Sequence, residues 1–110
     1  MLDELRCEAC DSQAIALTQD QQQTLLNELN GWSLIRRDDV PQLEKAYQFR
    51  TFKQAWVFAE KIAELAEKMG HHPQITVEWG KVTLTWWTHA INGLHNNDFI
   101  CAAHSDKYYQ

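Results

Sequence analysis

Three of the five histidines lie where a side chain could exchange protons with a ligand. His71 and His72 follow a long helical pattern, and His89 follows the last strand-like segment, just before a loop. Imidazole has an unperturbed pKa of about 6.5, so it can donate or accept a proton near neutrality. Because loop positions beside rigid elements commonly build sites, these three histidines are candidates for general acid–base chemistry.

A structural explanation of His71-His72-Pro73 stays open beside the catalytic one. Cationic side chains at a helix C-terminus interact favourably with the helix dipole, and two histidines at the end of a helix could do no more than that. Pro73 biases His72 toward an extended backbone, so the two adjacent side chains are expected to point in different directions. We therefore do not expect them to bind one metal ion as a pair.

The cysteines raise a zinc site as a further alternative. Cys7-x-x-Cys10 and Cys101-x-x-His104 together offer four ligands of a kind that zinc accepts. One C-x-x-C is a weak signal, and Cys101 and His104 have helical spacing, where a core cysteine and a surface histidine are ordinary. We therefore predict no metal, and we assign no functional role to His95 or His104.

The first half of the chain predicts one helix and a pair of strands. Residues 1–17 read as an irregular arm, and Thr18 begins a capping box that starts a short helix running to about residue 30. Aromatic and alternating residues over 32–37 and 43–49 predict two antiparallel strands. The residues between them, 38–41, have the composition of a turn.

The second half predicts a long helix, a hairpin and a final helix. Neither Pro nor Gly interrupts the helical pattern of residues 52–69, which Gly70 closes. Alternating residues on both sides of Gly80 predict a tight hairpin. The last helix is expected to begin near Asn96 or Asn97.

Element order, charge and hydropathy limit the function classes. The order α-β-β-α-β-β-α over residues 18–110 predicts one α+β domain, with a four-stranded antiparallel sheet and helices packed on one face. The 110-residue chain has a net charge of −5 and no basic cluster, which argues against a nucleic-acid partner. It has no apolar run of about 20 residues and no signal-like start, so we expect no membrane partner and a cytoplasmic location.

Core packing is the expected role of most of the five tryptophans. Trp32, Trp56, Trp79 and Trp86 fall at positions whose periodicity is typical of a core. Trp87 instead lies on the polar side of the strand pattern, so it is the tryptophan expected to touch a ligand or a partner subunit.

The spacing of the candidate residues resembles the signature of the pterin-4a-carbinolamine dehydratases. The resemblance extends from about Trp32 through the final helix and leaves residues 1–30 without an assigned function. The matching residues are Glu67-Lys-Met-Gly-His71-His72-Pro73, the aromatic Trp79, Thr88-His89 and Asp98, together with the helix start TFKQAW at residues 51–56.

This resemblance implies an enzyme that dehydrates a 4a-hydroxytetrahydropterin to quinonoid dihydropterin without a cofactor. The pterin substrate is left behind by an aromatic amino acid hydroxylase, which implies a functional link to such an enzyme. The elimination delivers a proton to the departing 4a-hydroxyl and removes one from a ring nitrogen, a task for paired acid and base groups.

The same resemblance assigns roles to single residues. His71 and His89 would transfer protons, although the resemblance does not separate acid from base. His72 would mainly position the pterin, and Asp98 would orient or electrostatically bias a histidine. The remaining matches, which are expected to lie near the substrate, are Glu67, Pro73 and Thr88.

Two further expectations concern partners. The long helix has two overlapping apolar stripes and the sheet has open edges, so we expect a homodimer through sheet edges, or a homotetramer through the helices as relatives of this family form. The alternative to an enzyme is a non-catalytic protein-binding or dimerisation module of the same fold, because some animal members also serve as a dimerisation cofactor of a transcription factor.

Overall fold

The computed structural model describes Leu2 and residues 16–109, and its elements follow the predicted α-β-β-α-β-β-α order. A 3-10 turn at His89–Ile91 precedes the last helix. The elements are α1 (Gln19–Leu26), β1 (Ser33–Arg37), β2 (Val40–Gln48), α2 (Phe52–Met69), β3 (Gln74–Glu78), β4 (Lys81–Trp86) and α3 (Asn96–Lys107). The predicted α+β class is confirmed.

The four strands form one antiparallel sheet in the order β1-β2-β4-β3. Helix α2 packs against β3 and β4, and α3 packs against β2, β4 and α2. Side chains at alternate positions of β4 enter the core beneath these helices, because successive strand residues point to opposite faces. The largest fully buried side chains are Trp86, Tyr47, Phe99, Leu43, Ile62 and Leu84.

The β1–β2 turn is shorter than the sequence predicted. Asp38 and Asp39 alone form it, with φ of 51° and 64°, and β2 already begins at Val40. A two-residue turn with positive φ at both positions matches the twist of a hairpin. Pro41 lies within the strand opposite Arg36, before β2 pairs with β4, so its missing N–H leaves no ladder bond unmade there.

Helix α1 is also shorter than predicted. The Thr18 capping box is present, but the helix ends at Leu26 rather than near residue 30. Short i to i−3 bonds from Glu28 and Leu29 tighten the chain after the helix, and Leu29 still packs against the core. The apolar positions of this segment were therefore identified correctly, although the residues after Leu26 form a tighter turn instead of continuing the α-helix.

Helix α2 has the predicted ends. The Thr51 hydroxyl accepts from the Gln54 N–H at 3.0 Å, and Gly70 closes the helix with φ of 66°. Left-handed φ at this position is the usual reason for a glycine after a helix. The helix buries one face and leaves Phe52 and Trp56 about half exposed. Core packing was thus the wrong expectation for Trp56.

Trp79 is likewise outside the core, although the alternating pattern of its segment predicted that it would be buried there. It lies in the β3–β4 turn beside Gly80, whose φ is 70°, and it is 74 % exposed. The strand ends one residue before it, so the alternation no longer directs its side chain toward the core.

The N-terminal arm falls mostly outside the described residues, and so do Cys7 and Cys10. Where the description resumes, the Leu17 N–H donates to the Leu94 carbonyl at 2.8 Å, which ties the start of α1 to the segment before α3. Over the described residues, no helix is both long and apolar enough to cross a membrane.

Candidate functional site

The most buried charged pair among the candidate residues joins His71 and Asp98. His71 Nε2 lies 2.6 Å from Asp98 Oδ1, and the two side chains are only 5 % and 0 % exposed. They lie 27 residues apart in the sequence, and the fold brings the end of α2 and the first turn of α3 together. A carboxylate so close to an imidazole can orient the ring and stabilise its protonated form.

Asp98 is held by further donors besides His71. Its Oδ2 accepts from the Thr88 hydroxyl at 2.8 Å and from the His95 N–H at 2.9 Å. Hydrogen bonds to both oxygens compensate the desolvation of this buried carboxyl group. The contact with Asp98 engages Nε2 of His71 and so fixes the orientation of the imidazole ring.

Local structure explains why these side chains converge. His71 follows the left-handed Gly70, and its N–H donates to the Ala66 carbonyl, so the chain turns from α2 toward β3 at this residue. Asp98 lies in the first turn of α3, where a carboxylate is favoured by the positive end of the helix. Thr88 forms an isolated bridge with Gly93 just after β4.

His95 has a structural role that the sequence analysis did not assign. It is the N-cap of α3, where its Nδ1 accepts from the Asn97 N–H at 3.2 Å and its own N–H donates to Asp98. Histidine is not among the residues that usually cap helices, so only the carboxylate three positions later signalled a reciprocal cap. Its role is to place Asp98.

Trp86 supports the His71 ring from the core. The two rings stack with centroids 5.6 Å apart and an interplanar angle of 17°. Trp86 is fully buried, and its indole Nε1 has no hydrogen-bond partner among the described residues. The stack restricts rotation of the imidazole out of its contact with Asp98.

His72 and Glu67 form a second pair that is exposed. His72 Nε2 lies 2.5 Å from Glu67 Oε2, with side chains 62 % and 78 % exposed. Their positions are the end of α2 and the segment just after it. The pair is near His71 in sequence, yet it faces solvent, where a ligand could reach it directly. Pro73, the next residue, is half-buried.

His89 contacts a tryptophan rather than a carboxylate. Its exposed ring lies 4.3 Å from the half-buried Trp87 ring, centroid to centroid, at an interplanar angle of 36°. Thr88, the preceding residue, binds Asp98, and consecutive Cα atoms are about 3.8 Å apart. The backbone of His89 therefore lies beside the buried pair. Trp87 touches a candidate site residue, and contact with a ligand or partner stays a prediction.

The described side chains thus fall into three groups. His71, Asp98 and Thr88 are directly bonded, His72 and Glu67 pair at the surface, and His89 packs on Trp87. Within the described part of the chain, no cluster of three or more His, Cys, Asp or Glu side chains has the geometry to hold a metal ion. Cys101 is buried, as core packing predicted.

A third carboxylate, Asp106, belongs to a separate network. It accepts from the Tyr47 hydroxyl at 2.5 Å, from Lys45 Nζ at 2.8 Å and from the Trp32 indole. Burial of Tyr47, reinforced by its hydrogen bond to Asp106, raises the pKa of the phenol far above its usual value. The network contains no histidine and joins α3 to the sheet.

Comparison with known proteins agrees with this architecture. The family model described as pterin 4 alpha carbinolamine dehydratase matches residues 15–108. A Vibrio cholerae serotype O1 protein named "Putative pterin-4-alpha-carbinolamine dehydratase" is 65 % identical over 106 residues, covering 96 % of this chain and 97 % of its own. A protein of the same name from Photobacterium profundum is 52 % identical, covering 96 % and 95 % respectively.

Two solved structures are similar as well. A transcriptional coactivator/pterin dehydratase from Brucella melitensis superposes with a TM-score of 0.79 at 27 % identity, covering 87 % of this chain and all of its own. A pterin dehydratase-like protein identified as a RuBisCO assembly factor in the alpha-carboxysome gives a TM-score of 0.58 at 27 % identity, covering 69 % and 88 %. With the family model matching most of its length, the chain belongs to the pterin-4a-carbinolamine dehydratase family.

Proposed function

We propose that the chain catalyses dehydration of a 4a-hydroxytetrahydropterin to quinonoid dihydropterin. The observation that carries this proposal is the buried His71–Asp98 pair, because a histidine held by a buried carboxyl group and stacked on Trp86 has the fixed geometry that proton transfer needs. Family membership supplies the substrate class. No cofactor is required, since the reaction moves protons and releases water without changing the oxidation state of the substrate.

The proposed chemistry divides between two histidines. His71, held by Asp98 through Nε2, is one of the two proton-transfer groups. His89, whose side chain is exposed, is the other. One of them protonates the departing 4a-hydroxyl, which leaves as water, and the other takes the proton from the ring nitrogen, so the overall proton count balances.

Substrate binding falls to the surface groups. His72 and Glu67 are mostly exposed and hydrogen-bonded to each other, so they can exchange this bond for bonds to the polar edge of a pterin. Pro73 restricts the backbone that carries His72. Thr88 is engaged by Asp98, so we assign it to holding that carboxylate rather than to contacting the heterocycle.

The test is the decay of 4a-hydroxytetrahydropterin, generated by an aromatic amino acid hydroxylase, with and without the protein. We expect decay to accelerate in proportion to protein concentration. His104→Asn provides a histidine control away from the buried pair and should retain the wild-type rate. Decay that is indifferent to the protein would reject the proposed activity.

A protein-binding function is the second candidate. The two similar structures are those of a transcriptional coactivator/pterin dehydratase and of a RuBisCO assembly factor, and Phe52 and Trp56 expose apolar surface on α2 of this chain. A protein that acts only as a binding module would show no acceleration in the decay assay, and replacing His71 would leave its partner binding unchanged.

We also propose that the chain forms homo-oligomers in the cytoplasm. A second copy could cover the exposed side chains of Phe52 and Trp56. It could also cover the outer edges of β1 and β3, which pair with no further strand among the described residues. Sedimentation at micromolar concentration should give a dimer or tetramer. A single species of 12.9 kDa with full activity would reject this proposal.

A further inference from the structure

A groove at the N-terminal half of α2 combines positive charge with an aromatic floor. It has a volume of about 910 Å³ and lies between the end of β2, the first turns of α2 and the C-terminal tyrosines. Its cationic side chains are Arg50, Lys53 and Lys61, and no Asp or Glu is among its described lining residues. The histidine site lies at the other end of α2, so the groove is separate from the chemistry proposed above.

The three cations have no anionic partner in the described part of the chain. The ion pairs found there join other residues, including Lys45 to Asp106 and Lys81 to Glu78. The chain as a whole carries a net charge of −5. Three unpaired cations around one groove therefore form a local positive region on a chain that is negative overall. An anionic ligand in the groove would be attracted by all three cations.

The spacing of two cations favours an extended ligand over a compact one. Lys53, Val57 and Lys61 follow one another at intervals of four residues on α2, so they lie along one line on the helix surface. At a rise of 1.5 Å per residue, this line is about 12 Å long. An extended peptide advances about 3.3 Å per residue, so side chains four residues apart are about 13 Å apart on one face.

The floor of the groove suits an apolar side chain between two carboxylates. The rings of Phe49, Phe58 and Tyr109 pack against one another with centroids 5.3 to 6.1 Å apart. The Tyr109 hydroxyl donates to the Gln48 carbonyl at 2.8 Å, which fixes its ring over the groove. The floor is therefore ordered by contacts within the chain before any ligand arrives.

We propose that this groove binds an extended acidic peptide segment of a partner protein, of the pattern Glu-x-Phe-x-Glu. The two carboxylates pair with Lys53 and Lys61, and the aromatic side chain between them lies on Val57 and the aromatic floor. Arg50, a further lining residue of the groove, provides a contact for an acidic residue beyond the motif. Charge complementarity sets the specificity, and the aromatic contact adds apolar burial.

The test is a titration of the isotope-labelled full chain with the peptide acetyl-Glu-Ser-Phe-Ser-Glu-amide, followed by amide chemical shifts. We expect saturable shifts in the first turns of α2, and binding that weakens as salt is added. The isosteric neutral peptide acetyl-Gln-Ser-Phe-Ser-Gln-amide should bind at least tenfold more weakly. Free glutarate, which carries two carboxylates on a short chain, should shift these amides little at the same concentration.

Variants that reverse the charge of chosen lysines test where the peptide binds. Lys53→Glu combined with Lys61→Glu should weaken the acidic peptide at least tenfold, whereas Lys68→Glu, on the same helix but outside the groove, should change binding less than twofold. The neutral variants Lys53→Gln and Lys61→Gln repeat the test with a smaller perturbation of the fold. Equal binding of both peptides, equal shifts with glutarate, absence of binding, or shifts outside the groove would each overturn the proposal.

Discussion

Two adjacent histidines each face a carboxylate at nearly the same distance, yet their surroundings differ completely. His71 lies 2.6 Å from Asp98 in a pair that is almost fully buried, and His72 lies 2.5 Å from Glu67 in a pair that is mostly exposed. Exposed ion pairs contribute about 0–1 kcal/mol, whereas removing one partner of a buried pair costs about 3–5 kcal/mol. Hydrogen-bond length alone therefore does not distinguish a fixed catalytic group from an adaptable binding group, but burial does.

The difference also suggests a division of labour. In the buried pair, two further donors bind the second oxygen of the carboxylate and an aromatic ring stacks on the imidazole, so the geometry is fixed before substrate arrives. The exposed pair has no such support and can rearrange around a ligand. We therefore assign proton transfer to the first pair and substrate recognition to the second.

The largest expected effect is on stability, and it separates the two carboxylates. Asp98→Ala would remove the carboxylate from three hydrogen bonds, two of them buried, so the free energy of unfolding should fall by about 3–5 kcal/mol. Glu67→Ala should change it by less than about 0.5 kcal/mol, because its partner is exposed. Urea unfolding of the two variants measures both values, and similar losses would mean that the burial difference has no energetic consequence.

His89 tests whether proton transfer also needs a histidine outside the buried pair. His89→Ala should lower turnover by about a hundredfold, the usual range for losing a general acid or base, while stability changes little because the ring is exposed. The same assay on Trp87→Ala should show a smaller loss, since only a ring contact is removed. A turnover within threefold of wild type for His89→Ala would exclude it from proton transfer.

His72 should behave differently from His89. His72→Ala is expected to raise KM severalfold and to leave kcat within about threefold of wild type, because it removes binding that is equal in ground and transition states. Steady-state kinetics across a range of pterin concentrations separates the two parameters. If kcat fell as far as in His89→Ala, the exposed pair would be part of the proton-transfer chemistry.

The Asp106 network contains no histidine, and it offers a test of how stability depends on pH. Burial and the bond to Asp106 raise the pKa of Tyr47 in the folded state above the value of about 10 expected when unfolded. Its contribution to stability is therefore fully present below pH 10 and is lost as pH rises toward the folded pKa, by up to about 1.4 kcal/mol per pH unit.

The matched variants isolate this contribution. Tyr47→Phe should remove part of the pH dependence of unfolding above pH 10, and Tyr108→Phe, at an exposed tyrosine, should preserve it. Urea unfolding between pH 9 and pH 11 makes the comparison. Identical pH profiles for wild type and Tyr47→Phe would show that the phenol does not titrate differently in the two states.

Local signals predicted the elements better than their ends. Helix α2 was predictable because Thr51 and Gly70 terminate it through caps that depend only on nearby residues. The early start of β2 was not predictable. Pro41 fits this part of the strand only because β2 is not paired with β4 there. The exposure of Trp56 and Trp79 depends on where a helix face and a strand end lie in three dimensions, which periodicity alone cannot give.

The resemblance selected His71, His72, His89 and Asp98, and their common role in one site stays a prediction. Pro73 indicated that the adjacent histidines would point in different directions, but nothing in the sequence indicated which of the two would be buried. The sequence analysis did not identify Trp86 and His95 as residues that support the site. Their contribution arises from contacts with other segments of the chain, which the sequence does not show.

The most direct test of the central claim compares His71→Ala and His72→Ala under single-turnover conditions with saturating protein. The rate constant for decay of 4a-hydroxytetrahydropterin should fall about a hundredfold in His71→Ala and stay within about threefold of wild type in His72→Ala, because saturation removes the binding defect. Equal rate constants for the two variants would contradict the assignment of proton transfer to the buried pair.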